Sequence, residues 1–261
     1  MMGQFSIVQQ WNALCALVRR EIVRFFRVWI QTLLPPVITM TLYFMIFGQL
    51  IGKRIGEMAG YSYIDYIVPG LIMLSVITSA YNNVVSSFFS IKFQRNVEEL
   101  LVAPVPNHII LLGFVIGGIV RGVLVGVLIG VIALFFTSYT MHHPFLTLMM
   151  LLLSSALFSL AGFTNAIFAK KFDDVTIIPT FILTPLTYLG GVFYSIDLLS
   201  ETWRNISLFN PILYMVNAFR YGILGVSDIP LSYAFSVVVA FIILLTAFNM
   251  LLLHRGTGLR S

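Results

Sequence analysis

The chain has 261 residues, 59% of them hydrophobic and only 10% charged, with a formal net charge of +5. So little charge cannot cover the surface of a water-soluble globule, which excludes an ordinary soluble enzyme and points to a membrane protein. The basic excess needs no nucleic-acid partner, because an asymmetry across a membrane accounts for it.

Residues 5-27 carry apolar groups at Trp11, Leu14, Cys15, Val18, Ile22, Phe25 and Phe26, continued by Trp29, at the three-and-four spacing of one helical stripe. Arg20, Arg24 and Arg27 fall on another face. This pattern predicts an interfacial helix with arginines toward lipid phosphates, or, on the plainer reading, a helix docked on the body of the protein.

Charge-free runs follow at Val28 to Gly52, Tyr66 to Ile91, Gly122 to Ala169, Val175 to Ile196 and Ile229 to Leu253. A helix crosses hydrocarbon in about 20 residues. The Gly122 to Ala169 run is therefore a hairpin of two helices, broken where Thr137 to Pro144 collects turn formers and two histidines. Six spans are predicted, at residues 29-50, 64-90, 109-137, 145-168, 175-194 and 231-253. Pro35 and Pro36 kink the first span unless neighbours satisfy the carbonyls they free. In the third, Gly113 and Gly117, and Gly118, Gly122 and Gly126, follow the small-xxx-small spacing that lets backbones approach in lipid. Arg121, in the same span, is expected at the inner boundary, facing protein or water.

Orientation follows from the basic residues. With the N-terminus inside, eleven of them lie on the cytoplasmic side (Arg19, Arg20, Arg24, Arg27, Lys92, Arg95, Arg121, Lys170, Lys171, Arg255, Arg260) and four outside (Lys53, Arg54, Arg204, Arg220). Both termini are thus expected in the cytoplasm. No short apolar core followed by a small-residue cleavage site is apparent at the N-terminus, so no removable signal peptide is expected.

Residues 91-106 are longer than a turn requires. Arg95, Glu98, Glu99 and Leu100 sit on a short amphipathic helix stopped by Pro104 and Pro106, which suits a docking contact. Residues 195-228 must leave and return on the outer side, and the uncharged part is too short to cross. Two short helices joined near Asn210-Pro211 are predicted there, with Asn210 capping the second. Arg220 on that second helix would reach headgroups, a carboxylate such as Asp197 or Glu201, or a helix end.

Catalytic chemistry is absent from the pattern. No GxxxxGK[ST] phosphate loop occurs, so the chain is not expected to hydrolyse ATP alone. The four histidines show no metal-ligand spacing, and His142 and His143 are expected to point apart. The lone Cys15 forbids an internal disulfide. No catalytic or metal residue is predicted.

The stretch from Leu183 to Arg220 contains Leu183, Leu186, Leu189, Gly190, Val192, Leu199, Ser200, Pro211, Ile212, Tyr214 and Arg220 in the order of a known signature. By these residues the chain resembles the ABC-2 type transporter permeases, and most closely their bacterial drug and polysaccharide export branch. The resemblance implies an all-α integral membrane fold in the bacterial inner membrane: six transmembrane helices, an N-terminal interfacial helix, a cytoplasmic coupling helix and an outer re-entrant segment. It implies that Arg95, Glu98, Glu99 and Leu100 couple to a separate ABC ATPase, which binds ATP and Mg, so that this chain carries no cofactor. It implies a homodimer surrounded by membrane lipid, an outer gate at Asn210, Pro211, Tyr214 and Arg220, and packing roles for Gly190 and Gly191. The expected cargo is amphipathic, lipid-linked or drug-like. A secondary transporter or channel without ATP coupling is the alternative, disfavoured because carboxylates are scarce at mid-span. An integral membrane enzyme is the third reading, and the want of a polar catalytic cluster counts against it.

Overall fold

A computed structural model of the chain describes residues 6–96, 105–139 and 141–258. Helix α1 (Ile7–Arg27) leads through Val28 into α2 (Trp29–Met45), which runs on through a π-helical stretch, Ile46–Ile51, and a last turn, Gly52–Ile55. A two-residue hairpin, β1 (Glu57–Met58) against β2 (Tyr61–Ser62), precedes α3 (Tyr63–Phe93). Then come α4 (Asn107–Ala133) and α5 (Pro144–Phe168). Helix α6 is built of three abutting pieces, Phe172–Ile178, a π segment Pro179–Leu183, and Thr184–Tyr188. A 3-10 turn, Ile196–Leu198, and α7 (Glu201–Ser207) lead to α8 (Pro211–Leu224) and α9 (Leu231–Arg255).

Five helices among the described residues are long and apolar enough to cross a membrane: Trp29–Gly48, α3, α4, α5 and α9. The expected span at 175-194 is shorter than the sequence suggested, because its helix ends at Tyr188. Proline explains the local geometry. Pro179 has no N–H for the carbonyl of Val175, and the Asn165 amide nitrogen of α5 donates to that carbonyl instead, at 3.3 Å. The widened turn that follows carries Thr184 Oγ1 donating to Pro179 O at 3.0 Å, five residues back.

Helix α3 is the hub and is mostly buried, whereas α2 and α9 bury little of their surface. The glycines of α4 explain how closely the hub is packed. A Cβ on Gly118, Gly122 or Gly126 would meet Val84, Ala80 or Val76 of α3, and on the other side Ser159, Ser155 or Leu151 of α5. The partners fall by four as the glycines rise by four, so α3 and α5 both run antiparallel to α4. Gly113 and Gly117 serve another face: they meet Leu17 and Glu21 of α1. The glycines therefore line two contacts rather than one stripe. Phe88, Phe114 and Phe163 then lock α3, α4 and α5 together, with ring centroids 4.3 to 5.8 Å apart.

Helix α1 docks on the body along the Leu17, Glu21 and Phe25 edge, while Trp11, Phe26 and Trp29 stay more than half exposed. Its apolar stripe is divided, with Phe25 buried against the protein and Trp11 and Phe26 facing away, and its protein-facing edge is anchored by a carboxylate. Residues 195-228 hold two short helices joined at Asn210-Pro211, as expected, and most residues of the second, α8, are buried among α3, α5 and α9.

Candidate functional site

Three polar constructions stand out inside this apolar body. The first knits the stretch that carries the sequence signature. Asn210 Oδ1 accepts the Ile212 N–H at 3.0 Å and so caps α8, and Pro211 takes the first helical position, where no N–H is needed. The Asn210 amide nitrogen donates to Leu186 O at 2.6 Å, tying that cap to the end of α6. Tyr214 Oη donates to Leu208 O at 2.5 Å. Gly191 adopts φ +67°, a left-handed turn that favours glycine, and a Cβ on Gly190 would strike Ile212.

Arg220 closes the knot. It is 1% exposed, its Nη2 donates to Gly191 O at 2.6 Å, its Nε donates to Tyr66 O at 3.3 Å, and its guanidinium carbon lies 4.1 Å from the Tyr66 ring centroid. Of the targets expected for it, headgroups, Asp197 or Glu201, or a helix end, the structure favours the last: α8 is buried, and Arg220 points into the protein toward the turn that follows the end of α6. Asp197 pairs with the exposed Arg204 instead, at 3.3 Å. Nearby, Tyr63 Oη donates to Phe193 O and Asp228 Oδ2 accepts the Ile196 N–H, both at 3.1 Å. Asn210, Pro211, Tyr214, Arg220, Gly190 and Gly191 are thus brought together in one brace.

The second construction is the anchor of α1. Glu21 is 1% exposed and accepts from Arg24 at 3.0 Å, from Arg20 at 3.3 Å and from Ser87 Oγ at 2.8 Å. Arg24 also donates to Asn83 Oδ1 at 2.9 Å and to Asn83 O at 3.1 Å. A buried carboxylate is tolerated only with such a full set of partners. Arg20 and Arg24 therefore grip the protein rather than lipid phosphates, a role hidden in the sequence because the arginines look like an ordinary basic face.

The third is a groove of about 510 Å³ between α2 and α6, floored by α3. Hydroxyls stud an otherwise largely apolar wall: Thr32 and Thr39 on α2, Ser75, Thr78 and Ser79 on α3, and Thr180, Thr184 and Thr187 on α6. Thr32, Ser75, Thr78, Thr184 and Thr187 already donate to carbonyls of their own helices. They therefore present methyls and acceptor lone pairs to the groove, a surface that wets an amphiphile without gripping it. Arg121, expected at the inner membrane boundary facing protein or water, sits near the middle of α4 and reaches this groove.

Of the docking set read from the sequence, Glu98, Glu99 and Leu100 lie outside the described residues. Arg95 is exposed, adopts φ +62°, and lines with Lys92, Lys170 and three phenylalanines a cavity of about 590 Å³. Lys92 Nζ caps the end of α5, donating to Ala169 O at 2.8 Å and also to Ile167 O. His142 and His143 do not point apart: their ring centroids are 5.3 Å apart, and their backbone N–H groups donate to Ile223 O and Gly222 O at the end of α8. No group of three metal-ligating side chains occurs among the described residues.

Comparison with known proteins gives this architecture a family. The inner membrane transport permease YadH of Escherichia coli (strain K12) is 58% identical over 251 residues, 96% of this chain and 98% of that protein. Nodulation protein J of Rhizobium leguminosarum bv. viciae is 22% identical over 212 residues, 80% of this chain and 82% of that protein. Nodulation protein J of Rhizobium meliloti (strain 1021) is also 22% identical, over 217 residues. The family model of the ABC-2 type transporter matches residues 12–224, from the first turns of α1 to the end of α8, and the chain belongs to that family.

Proposed function

We propose that the chain is the permease subunit of an ATP-driven exporter in the bacterial inner membrane, working as a homodimer with a separate ABC ATPase that carries ATP and Mg. The observation that carries the reading is the hydroxyl-lined groove between α2 and the proline-broken α6. The helices that wall it also carry an exposed apolar flank, Ile30, Leu34, Ile38 and Leu42 on α2 and Phe181 and Ile182 on α6, none of which lines the groove itself. A second copy against that flank would close the groove into a path for an amphipathic, lipid-linked or drug-like cargo. The name of YadH, an inner membrane transport permease, supports the location and the activity.

In this reading α6 is also a crossing, the fifth in chain order, and brings the five long helices to six. Its helix spans roughly 25 Å at ~1.5 Å per residue, and the turn after Tyr188 completes the passage of a ~30 Å hydrocarbon layer. Both termini then face the cytoplasm, and residues 195-228 form the outer, re-entrant part with the gate at Asn210, Pro211, Tyr214 and Arg220. In a chain freed of Cys15, a cysteine at Ser227 should label with an impermeant thiol reagent from the periplasm, and one at Ser261 only from the cytoplasm. Equal periplasmic labelling of both would contradict the six-span arrangement.

Residues 91-106 make the coupling contact through Arg95, Glu98, Glu99 and Leu100. Reversing Glu98 and Glu99 to lysine leaves the chain folded but should weaken its association with the ATPase, since an interfacial charge left unmatched costs about 2–5 kcal/mol when buried. Pull-down of the ATPase at wild-type levels by the double variant would move the docking site to α1.

A further inference from the structure

Among the described residues, Arg121 is the half-buried charged side chain in the middle of a long apolar helix for which the fold forms no hydrogen bond or ion pair. Its Nε is fully buried with no acceptor, and no carboxylate lies within ion-pairing distance. Its neighbours are the Phe25 ring, 5.8 Å from the guanidinium carbon, and α1, whose Arg24 is committed to Glu21 and Asn83. The contrast with the other inward arginines is direct: Arg220 has two carbonyls and an aromatic face, and Arg24 has a carboxylate and an amide.

A guanidinium stays charged at any working pH, and within a membrane helix that charge calls for an anion. No described carboxylate pairs with it, but Arg121 lines the groove, and it alone among the groove's lining residues is charged. The register of α3 on α4, with Val84 against Gly118 and Ala80 against Gly122, sets Arg121 level with the exposed Asn82, which lines the same groove. A cavity of about 510 Å³ holds a headgroup and the first carbons of its chain. The remaining wall of methyls and hydroxyls suits that amphiphile, and the planar guanidinium matches two phosphate oxygens.

We infer that Arg121 is an anion-binding residue of the groove, which takes the phosphate of an amphiphile, whether cargo or resident bilayer lipid. The inference uses the groove of the proposed function but asks only that it bind, so it stands or falls without ATP coupling. The test is thermal unfolding of the purified chain in a neutral detergent, titrated separately with a polyprenyl phosphate, phosphatidylglycerol, diacylglycerol and inorganic phosphate. The Tm should rise with both phosphate amphiphiles and stay flat with diacylglycerol and with inorganic phosphate. The amphiphile with the lower midpoint identifies the source, polyprenyl phosphate marking cargo and phosphatidylglycerol resident lipid. Arg121→Gln should raise both midpoints about tenfold or more, the loss expected for one charged hydrogen-bonding partner. If that variant does not fold, Asn82→Glu decides: at an exposed position it keeps Arg121, offers it a carboxylate from within the chain, and should raise the midpoints likewise. Unchanged midpoints in the variants that fold, an equal response to diacylglycerol, or saturation by inorganic phosphate alone would overturn the inference. A shift of the kind expected in a chain that no ATPase drives would leave the anion site standing and remove only the exporter reading.

Discussion

Arg220→Ala should lower the stability of the purified chain by roughly 3–5 kcal/mol, about 10 °C in Tm. The side chain is 1% exposed and braces three segments: α8, which carries it, α3 through Tyr66 O, and the Gly190-Gly191 turn through Gly191 O. Removal leaves two buried carbonyls short of donors, strips the cation from the Tyr66 face and opens a cavity that a rigid helix packing cannot close. Arg220→Lys keeps the charge but not the fork and should fall between the two. Arg204→Ala is the control, because it breaks only a half-exposed pair with Asp197 and should change stability by less than about 1 kcal/mol. Equal Tm values for Arg220→Ala and Arg204→Ala, by loss of helical circular dichroism, would show that the brace carries no stability. The consequence for the gate is practical. Export lost in Arg220→Ala reports gating only when Tm is preserved, so Tyr214→Phe, which removes one hydroxyl from the same brace, is the gentler probe.

The second large effect is expected where backbones touch. A Cβ on Gly162 would lie 2.6 Å from Tyr81 O, and one on Gly70 would lie 2.5 Å from Val192 O. Both clashes are with backbone, which no rotamer change relieves. Gly162→Ala and Gly70→Ala should each destabilise by about 1–3 kcal/mol, and leucine at either position should block folding. Gly130 separates this from a general intolerance of helix substitution. Its nearest neighbour would be 3.5 Å from the new Cβ, so Gly130→Ala should be neutral or stabilising by up to about 1 kcal/mol. The three variants, compared by Tm in one detergent, test whether α3, α4, α5 and the Gly190-Gly191 turn meet as described; a loss in Gly130→Ala as large as in Gly162→Ala would contradict it.

How much of this was legible in the sequence follows from what each feature depends on. Charge-free length located the long helices and the hairpin between α4 and α5, because hydrocarbon thickness acts on every span independently of its neighbours. The glycine spacing forecast close packing but not that two faces were involved, since a four-residue repeat is silent about partners on either side. The early end of α6 turned on proline and on a carbonyl satisfied from α5, a tertiary event invisible to a hydropathy window. For α8, length excluded a crossing and the Asn210-Pro211 junction marked two short helices, yet only the packed bundle reveals that its Arg220 is a strut. The burial of Glu21 and the opening of Arg121 onto the groove escape the sequence for one common reason: the depth of a charge is set by what packs around it, not by its distance from the end of an apolar run.

The central proposal, a permease driven by a separate ATPase, is tested most directly by purifying the tagged chain from its own membranes under mild detergent and assaying what comes with it. An ABC ATPase should co-purify in a stoichiometric complex, and after reconstitution cargo should move only with ATP and Mg, with both association and movement reduced by the Glu98→Lys, Glu99→Lys double variant. Transport by the chain alone, without nucleotide and following an imposed ion gradient, would contradict it.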